Sequence, residues 1–336
     1  MSQAMDSLQG LLDQLESATG SAEFSEARLL AEPQILASRD AGLISQLGMI
    51  YRERRLWSEA EDVLRKAARL EPSLPTPHRS LGLLFIHRDD LAWEQSLECA
   101  KESLETAARL EKKANEPSAA THTLLGRVYL SLGERSDAEA EFRMALRIDP
   151  RYTEAKYNLA TTLGQLSVPG NDEIISLLKQ SIEEDPHYFA ALRDLGWNLR
   201  FSNVLEAEYY LSRALQEAQD DVLVHIYYAR LKFDTEPAIA EQQYKKAIEL
   251  DPGDSELHQL LGLLYSHSGR NDEANRELFS ALELDPDNEK LFAGYLDFLN
   301  KIKDRTYRAK LYQSAKRNSL LAPEMLQELD KSVASL

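Results

Sequence analysis

AATHTLLGRVYLSLGERSDAEAEFRMALRIDPRY, residues 119–152, carries within 34 residues the signals that decide the fold. Leu125-Gly126 and Tyr129 fall one turn apart and open an amphipathic helix. Leu132-Gly133 breaks it, because glycine tolerates backbone angles that end a helix. Ala138, Phe142 and Ala145 follow at spacings of 4 and 3, which places them on one face of a second helix. Glycine in one helix and alanines in the other remove side-chain bulk, so the two can approach closely while Leu, Tyr and Phe fill the seam. Asp149-Pro150 then closes the segment, since proline lacks an N–H and pushes the residue before it out of helical geometry.

The same grammar recurs outward in both directions. Acidic-proline pairs stand at Glu32-Pro33, Glu71-Pro72, Glu116-Pro117, Asp149-Pro150, Asp185-Pro186, Asp251-Pro252 and Asp285-Pro286. Their separations are 39, 45, 33, 36, 66 and 34 residues, the longest being close to two units. Each pair is expected to end one helix and open the next. Between them recur Leu47-Gly48 with Tyr51, Leu81-Gly82 with Phe85, Leu195-Gly196 with Leu199, and Leu261-Gly262 with Tyr265. The second-helix triplets are Ala60, Leu64, Ala67 and Ala274, Leu278, Ala281. Each unit is a helix-turn-helix hairpin, so the chain is all-α.

These units resemble the tetratricopeptide repeat, whose pattern is W-x2-L-G-x2-Y, then A-x3-F-x2-A, then P. The resemblance implies an α-solenoid of stacked hairpins forming a right-handed superhelix. It covers about eight units: 41–74, 75–118, 119–152, 153–188, 189–220, 221–254, 255–288 and 289–322. Residues 41–74, 119–152 and 255–288 match almost without gaps. The unit 75–118 is lengthened in its second helix, where Ala100, Leu104 and Ala107 hold the expected slots. Ala160 replaces glycine in 153–188, and the glycine slot of 221–254 holds Tyr228, which predicts a splayed pair or a shifted register. Stacked repeats need polar covers at their ends. Residues 1–40, with Leu8, Leu11, Leu12 and Leu15, are expected to form an N-terminal helical cap or a decayed repeat, and 323–336 a C-terminal capping helix.

Composition excludes several function classes. Lys and Arg total 39 against 56 Asp and Glu, a net charge of −17, so phosphate backbones are repelled and general nucleic-acid binding is not expected. The longest wholly apolar stretch is Leu81 to Ile86, too short for a membrane span, and the first residues lack the basic and apolar regions of a secretory signal. The single cysteine, Cys99, fits a reducing compartment, and a cytoplasmic protein is expected. No phosphate-loop, dinucleotide, zinc-protease or nucleophile-elbow sequence occurs. His78, His122 and His258 share one slot of three separate repeats, which spaces them along the stack, so they are expected to pack as half-buried polar groups and not to ligate metal. Neither catalysis nor a cofactor is expected.

What remains is a surface. In the family this chain resembles, ligand contacts fall at the second, fifth, ninth, twelfth and thirteenth positions of each first helix, on the concave side. Those positions here hold Arg52, Arg79, Arg127, Arg193, Arg200, Lys232, Lys290 and Lys301 against Glu53, Glu154, Glu256 and Asp297. Tyr157, Trp197, Phe201 and Phe233 add aromatic rings, with Asn158 beside Tyr157. A basic, ring-lined groove suits a protein or peptide segment that is acidic with an apolar anchor. A two-carboxylate clamp of the chaperone-binding kind is incomplete: Asn158 matches it, Thr123 and Arg127 stand at two further slots, and Arg193 is one position out. The expected function is a non-catalytic interaction scaffold. The alternative is a regulatory or substrate-recruiting subunit of a separately encoded enzyme such as a transferase. The stretch Lys301 to Arg317 carries seven cations against Asp304 and is expected to be a solvated face.

Overall fold

A computed structural model describes residues 2–166, 171–316 and 327. The chain divides into two compact units, one ending at Asp185 and the other beginning at Pro186. Within the first, α1 (Ser2–Ser17) and α2 (Ser21–Ser38) precede four hairpins: α3 (Ala41–Glu53) with α4 (Trp57–Leu70), α5 (Pro75–His87) with α6 (Trp93–Ala114), α7 (Ala119–Ser131) with α8 (Arg135–Ile148), and α9 (Thr153–Leu166) with α10 (Asp172–Glu184). Within the second, α11 (Phe189–Leu199) pairs with α12 (Val204–Glu217), α13 (Val222–Lys232) with α14 (Pro237–Leu250), α15 (Ser255–His267) with α16 (Asn271–Leu284), and α17 (Glu289–Lys301) with α18 (Arg305–Lys316). The described residues contain no strand. The expected cap at 323–336 lies outside them, apart from residue 327.

Local chemistry sets the helix ends. Several first helices begin where a short polar side chain accepts from the free N–H groups of the opening turn: Asp40 from Leu43 N at 3.0 Å, Ser118 from Thr121 N at 3.4 Å, Asp221 from Val224 N at 2.8 Å and Asp254 from Glu256 N at 2.8 Å. Second helices stop at Glu71, Asp149, Asp185, Asp251 and Asp285. In the turns inside the hairpins, Gly133 and Gly269 adopt φ of 81° and 71°, angles that cost a side-chain-bearing residue energy. Ala60, Leu64, Ala67, Ala138, Phe142, Ala145, Ala274 and Ala281 are fully buried in the seams.

Pro33 departs from expectation. It lies inside α2 instead of separating two helices. Both Pro33 and Leu29, whose carbonyl loses its bond, face solvent, and the Gln34 amide donates to the neighbouring Leu30 carbonyl at 2.9 Å. A carbonyl on an exposed face is open to solvent, so the missing donor costs little there, and Ala31 and Ile35 keep the opposite face buried.

Charges clip one hairpin to the next. Glu241 of α14 accepts from Tyr265 of α15 at 2.9 Å and from Lys245 at 2.7 Å, and it pairs with Arg270. Burial opposes its charge, but the hydrogen bonds from Arg270, Lys245 and Tyr265 outweigh that and hold its pKa at about 2. A depressed carboxyl contributes stability that is whole above its ordinary value of 4.5 and drains away as pH falls toward 2. Glu241→Gln should therefore melt below the wild type at neutral pH, and the two midpoints should converge as pH falls through that interval. Parallel curves would refute the assignment.

Candidate functional site

In the second unit, Arg193, Trp197 and Arg200 follow one another on one face of α11. The Trp197 indole stacks on Tyr227 of α13, with centroids 4.3 Å apart and planes inclined by 15°. The Arg200 guanidinium carbon lies 3.7 Å from the indole centroid, so it takes the face opposite Tyr227, and Arg230 stands 5.6 Å from the same ring. Arg200 Nη1 donates to the Trp197 carbonyl at 2.5 Å. Burial lowers the Arg200 pKa, and Arg230 adds to that. No carboxylate among the described residues pairs with Arg200 or Arg230. Two guanidinium groups without an anion flank one indole, in a chain of net charge −17. Beside them Phe201 is 85% exposed, followed by Leu205 at 82%.

The other expected contacts are placed differently. Arg193 is committed internally, with Nε 2.8 Å from Asp194 and Nη1 3.2 Å from Asp221, the cap of α13. Lys232 was expected at an open position and is instead buried, its Nζ 2.6 Å from both Glu208 and Glu236. The cause is register. Counting from Asp221, the residue that occupies the glycine slot is Ala229, which is fully buried, and not Tyr228. Lys232 then stands where other first helices place Tyr51, Phe85, Tyr129 or Tyr265, and its ammonium is neutralised inside the seam. Phe233 borders a cavity of about 870 Å³ with Leu263 and Phe298, its ring 5.2 Å from His267.

In the first unit, Arg79 Nη1 pairs with the buried Glu111 of α6 at 3.2 Å. Arg127 is half-buried with no carboxylate partner among the described residues, and both Arg79 and Arg127 act on the Tyr152 hydroxyl. Tyr157 is half-buried, and the Asn158 amide donates to the Glu154 carbonyl of its own helix at 2.7 Å. The structure thus gathers Trp197, Arg200 and Phe201 and adds Tyr227 and Arg230, which sequence reasoning missed. The signal was available: a count from the Asp221 cap puts Arg230 at the ninth position, as Arg127 and Trp197 are in theirs.

His122 and His258 bond to Glu141 and Glu277 of their partner helices. Among the described residues no group of three or more His, Cys, Asp or Glu side chains is arranged to hold a metal. None of the described helices is long and apolar enough to cross a membrane. In the basic stretch, Lys301 pairs with Asp297 at 2.6 Å, and Arg317 lies outside the described residues.

Sequence profiles of the tetratricopeptide repeat match residues 43–76, 98–163 and 243–274. A TPR repeat-containing protein of Dictyostelium discoideum is 30% identical over 87 residues, 26% of this chain and 32% of that protein, so the match spans about a third of the relative's length. The C-terminal part of a TPR repeat-containing protein from Cytophaga hutchinsonii superposes with a TM-score of 0.51 at 16% identity, covering 74% of this chain and 98% of the other. A thermophilic TPR protein of Thermus thermophilus gives a TM-score of 0.45 at 24% identity over 55% of this chain and 100% of its own. The Cytophaga likeness supports the fold alone.

Proposed function

Because the chain belongs to the tetratricopeptide-repeat proteins, a fold that supports protein–protein interaction in general, we propose that it is a non-catalytic scaffold in complex assembly, holding an acidic segment of a partner protein. Its repeats run over 41–322, and its compartment is the cytoplasm, which suits the lone thiol of Cys99. The observation that carries this reading is the pair Arg200 and Arg230, without carboxylate partners among the described residues, around Trp197 and beside the exposed Phe201. The cations offer charge-assisted hydrogen bonds to carboxylates, and Phe201 offers apolar area to an anchor side chain.

The test is selection from a displayed library of random peptides. Wild type should enrich peptides with Asp or Glu next to an aromatic or large aliphatic residue. Arg200→Glu/Arg230→Glu should lose them, and Phe201→Ala should bind them about tenfold more weakly at an unchanged melting point. Equal binding to all three proteins would end the proposal.

A further inference from the structure

Four first helices carry a histidine at their fourth position, and three of those rings are bonded across their hairpin. His122 Nδ1 lies 2.6 Å from Glu141, His258 Nδ1 lies 2.8 Å from Glu277, and His225 Nδ1 lies 2.7 Å from Gln243. Each partner directly precedes the seam residue of the second helix, namely Phe142, Leu278 or Tyr244. In the second hairpin the seam residue is Leu104, and the residue before it is Ser103, whose hydroxyl donates to the Cys99 carbonyl at 2.8 Å. His78 therefore faces a position that holds neither the carboxylate nor the amide found opposite the other three rings. No described residue hydrogen-bonds its ring.

The space is open. A cavity of about 710 Å³ lies among α4, α5 and α6 and is bounded by His78, Ser103, Thr106, Arg69 and Arg109. Arg69 has no partner among the described residues, and Arg109 donates to the Thr106 hydroxyl at 3.0 Å and to no carboxylate. Arg65, also in the lining, is held by Glu61 at 2.6 Å, and among the described residues Glu102 is the one carboxylate that borders the cavity. The floor is apolar, made by Leu81, Phe85 and Leu110. Burial lowers the His78 pKa, and the charge of Arg109 adds to that.

We infer that this cavity binds a ligand bearing a carboxylate on an apolar body. The ligand's carboxylate takes the place that Glu141 and Glu277 hold in their hairpins, between His78 and the arginines, and the body lies on Leu81, Phe85 and Leu110. The inference is independent of the face formed by α11 and α13, because it involves other helices and other residues.

The full chain, labelled in its histidine rings, should be titrated by NMR with 4-phenylbutyrate, with 4-phenylbutyramide, with inorganic phosphate and with acetyl-Leu-Glu-Phe-amide. A carboxylate probe should shift the His78 resonances saturably and raise the His78 pKa by about one unit. The uncharged amide should do neither. Ser103→Glu, which restores the carboxylate within the chain, should raise the His78 pKa without ligand and weaken the carboxylate probes at least about tenfold. Arg69→Gln/Arg109→Gln should weaken them similarly at an unchanged melting point. Tighter binding of the peptide identifies a protein segment as the source, and tighter binding of phenylbutyrate a free organic acid. The inference is overturned if neither carboxylate probe shifts His78, if the amide or phosphate binds as tightly, or if both variants bind like the wild type.

Discussion

Gly196→Ala should lower the stability of the second unit by about 2 kcal/mol. A methyl group at this position would lie 2.6 Å from Leu211 Cγ and 3.0 Å from the Ala207 carbonyl oxygen of α12. The first contact is with a branch carbon of a fully buried side chain, and the second is with backbone. Neither can swing aside, so α12 must retreat from α11 and open the seam along Ala207, Leu211 and Ala214. Overpacking of this kind costs about 1–3 kcal/mol, here toward the upper end because one contact is with backbone, and the better helix propensity of alanine returns about 0.5–1. The thermal midpoint should fall by about 4–8 °C. Gly10→Ala is the control. Gly10 lies within α1 with nothing inside 4 Å of the added carbon, so propensity acts alone and the midpoint should rise slightly. A Gly196→Ala protein that melts at or above the wild type would show that the close approach of α11 and α12 does not need glycine.

That close approach was legible in the sequence because it has a residue-level signature. Glycine faces the central Leu or Phe of the second-helix triplet, and the same contact recurs: Gly48 on Leu64, Gly126 on Phe142 and Gly262 on Leu278, and Gly82 on Leu104 in the lengthened hairpin. Helix ends were legible for the same reason, since a cap or an acidic-proline pair acts locally. Pro33 shows the limit of local rules. Whether a proline ends a helix depends on what satisfies the freed carbonyl, and at Leu29 the helix turns that group to solvent while Ala31 and Ile35 stay packed.

Register was less secure than existence. One residue turns a helix by about 100°, so taking Tyr228 for Ala229 moves Lys232 from the seam to the open face and hides Arg230. Pairing was not legible at all. Arg193 with Asp221 and Arg79 with Glu111 join residues 28 and 32 positions apart, and no spacing rule distinguishes those acids from their neighbours. An excess of cations at groove positions was therefore a poor guide to which of them stand without a carboxylate partner. What distinguishes Arg200 and Arg230 from Arg193 and Arg79 is the lack of a carboxylate partner among the described residues, and that is visible only once the helices are packed.

Arg79 permits the sharpest separation of the two roles. Glu111, in the stretch that lengthens α6, has a side chain only 3% exposed. Its Oε1 accepts from Arg79 Nη1 at 3.2 Å and from the Thr121 hydroxyl at 2.6 Å, and its Oε2 has no hydrogen-bond partner. One cation thus offsets a carboxylate taken out of water. Removing it should cost more than the pair itself contributes, because the anion stays behind uncompensated. Breaking a buried pair costs about 3–5 kcal/mol. The Arg79 side chain is 31% exposed, so water reaches part of the site and the lower end applies. Arg79→Met should therefore destabilise the first unit by about 3 kcal/mol. Arg79→Met/Glu111→Leu should recover most of that loss, with a coupling of about 2 kcal/mol, since an apolar pair leaves no buried charge. Denaturant unfolding of the wild type, the two single variants and the double variant closes the cycle. If Arg79→Met costs less than about 1 kcal/mol, the carboxylate is not held by this arginine, and Arg79 is free to serve a ligand as its position in the repeat implies. If the cycle closes as expected, weaker peptide capture by an Arg79 variant reports a loosened α5–α6 hairpin, and the double variant should capture peptides like the wild type.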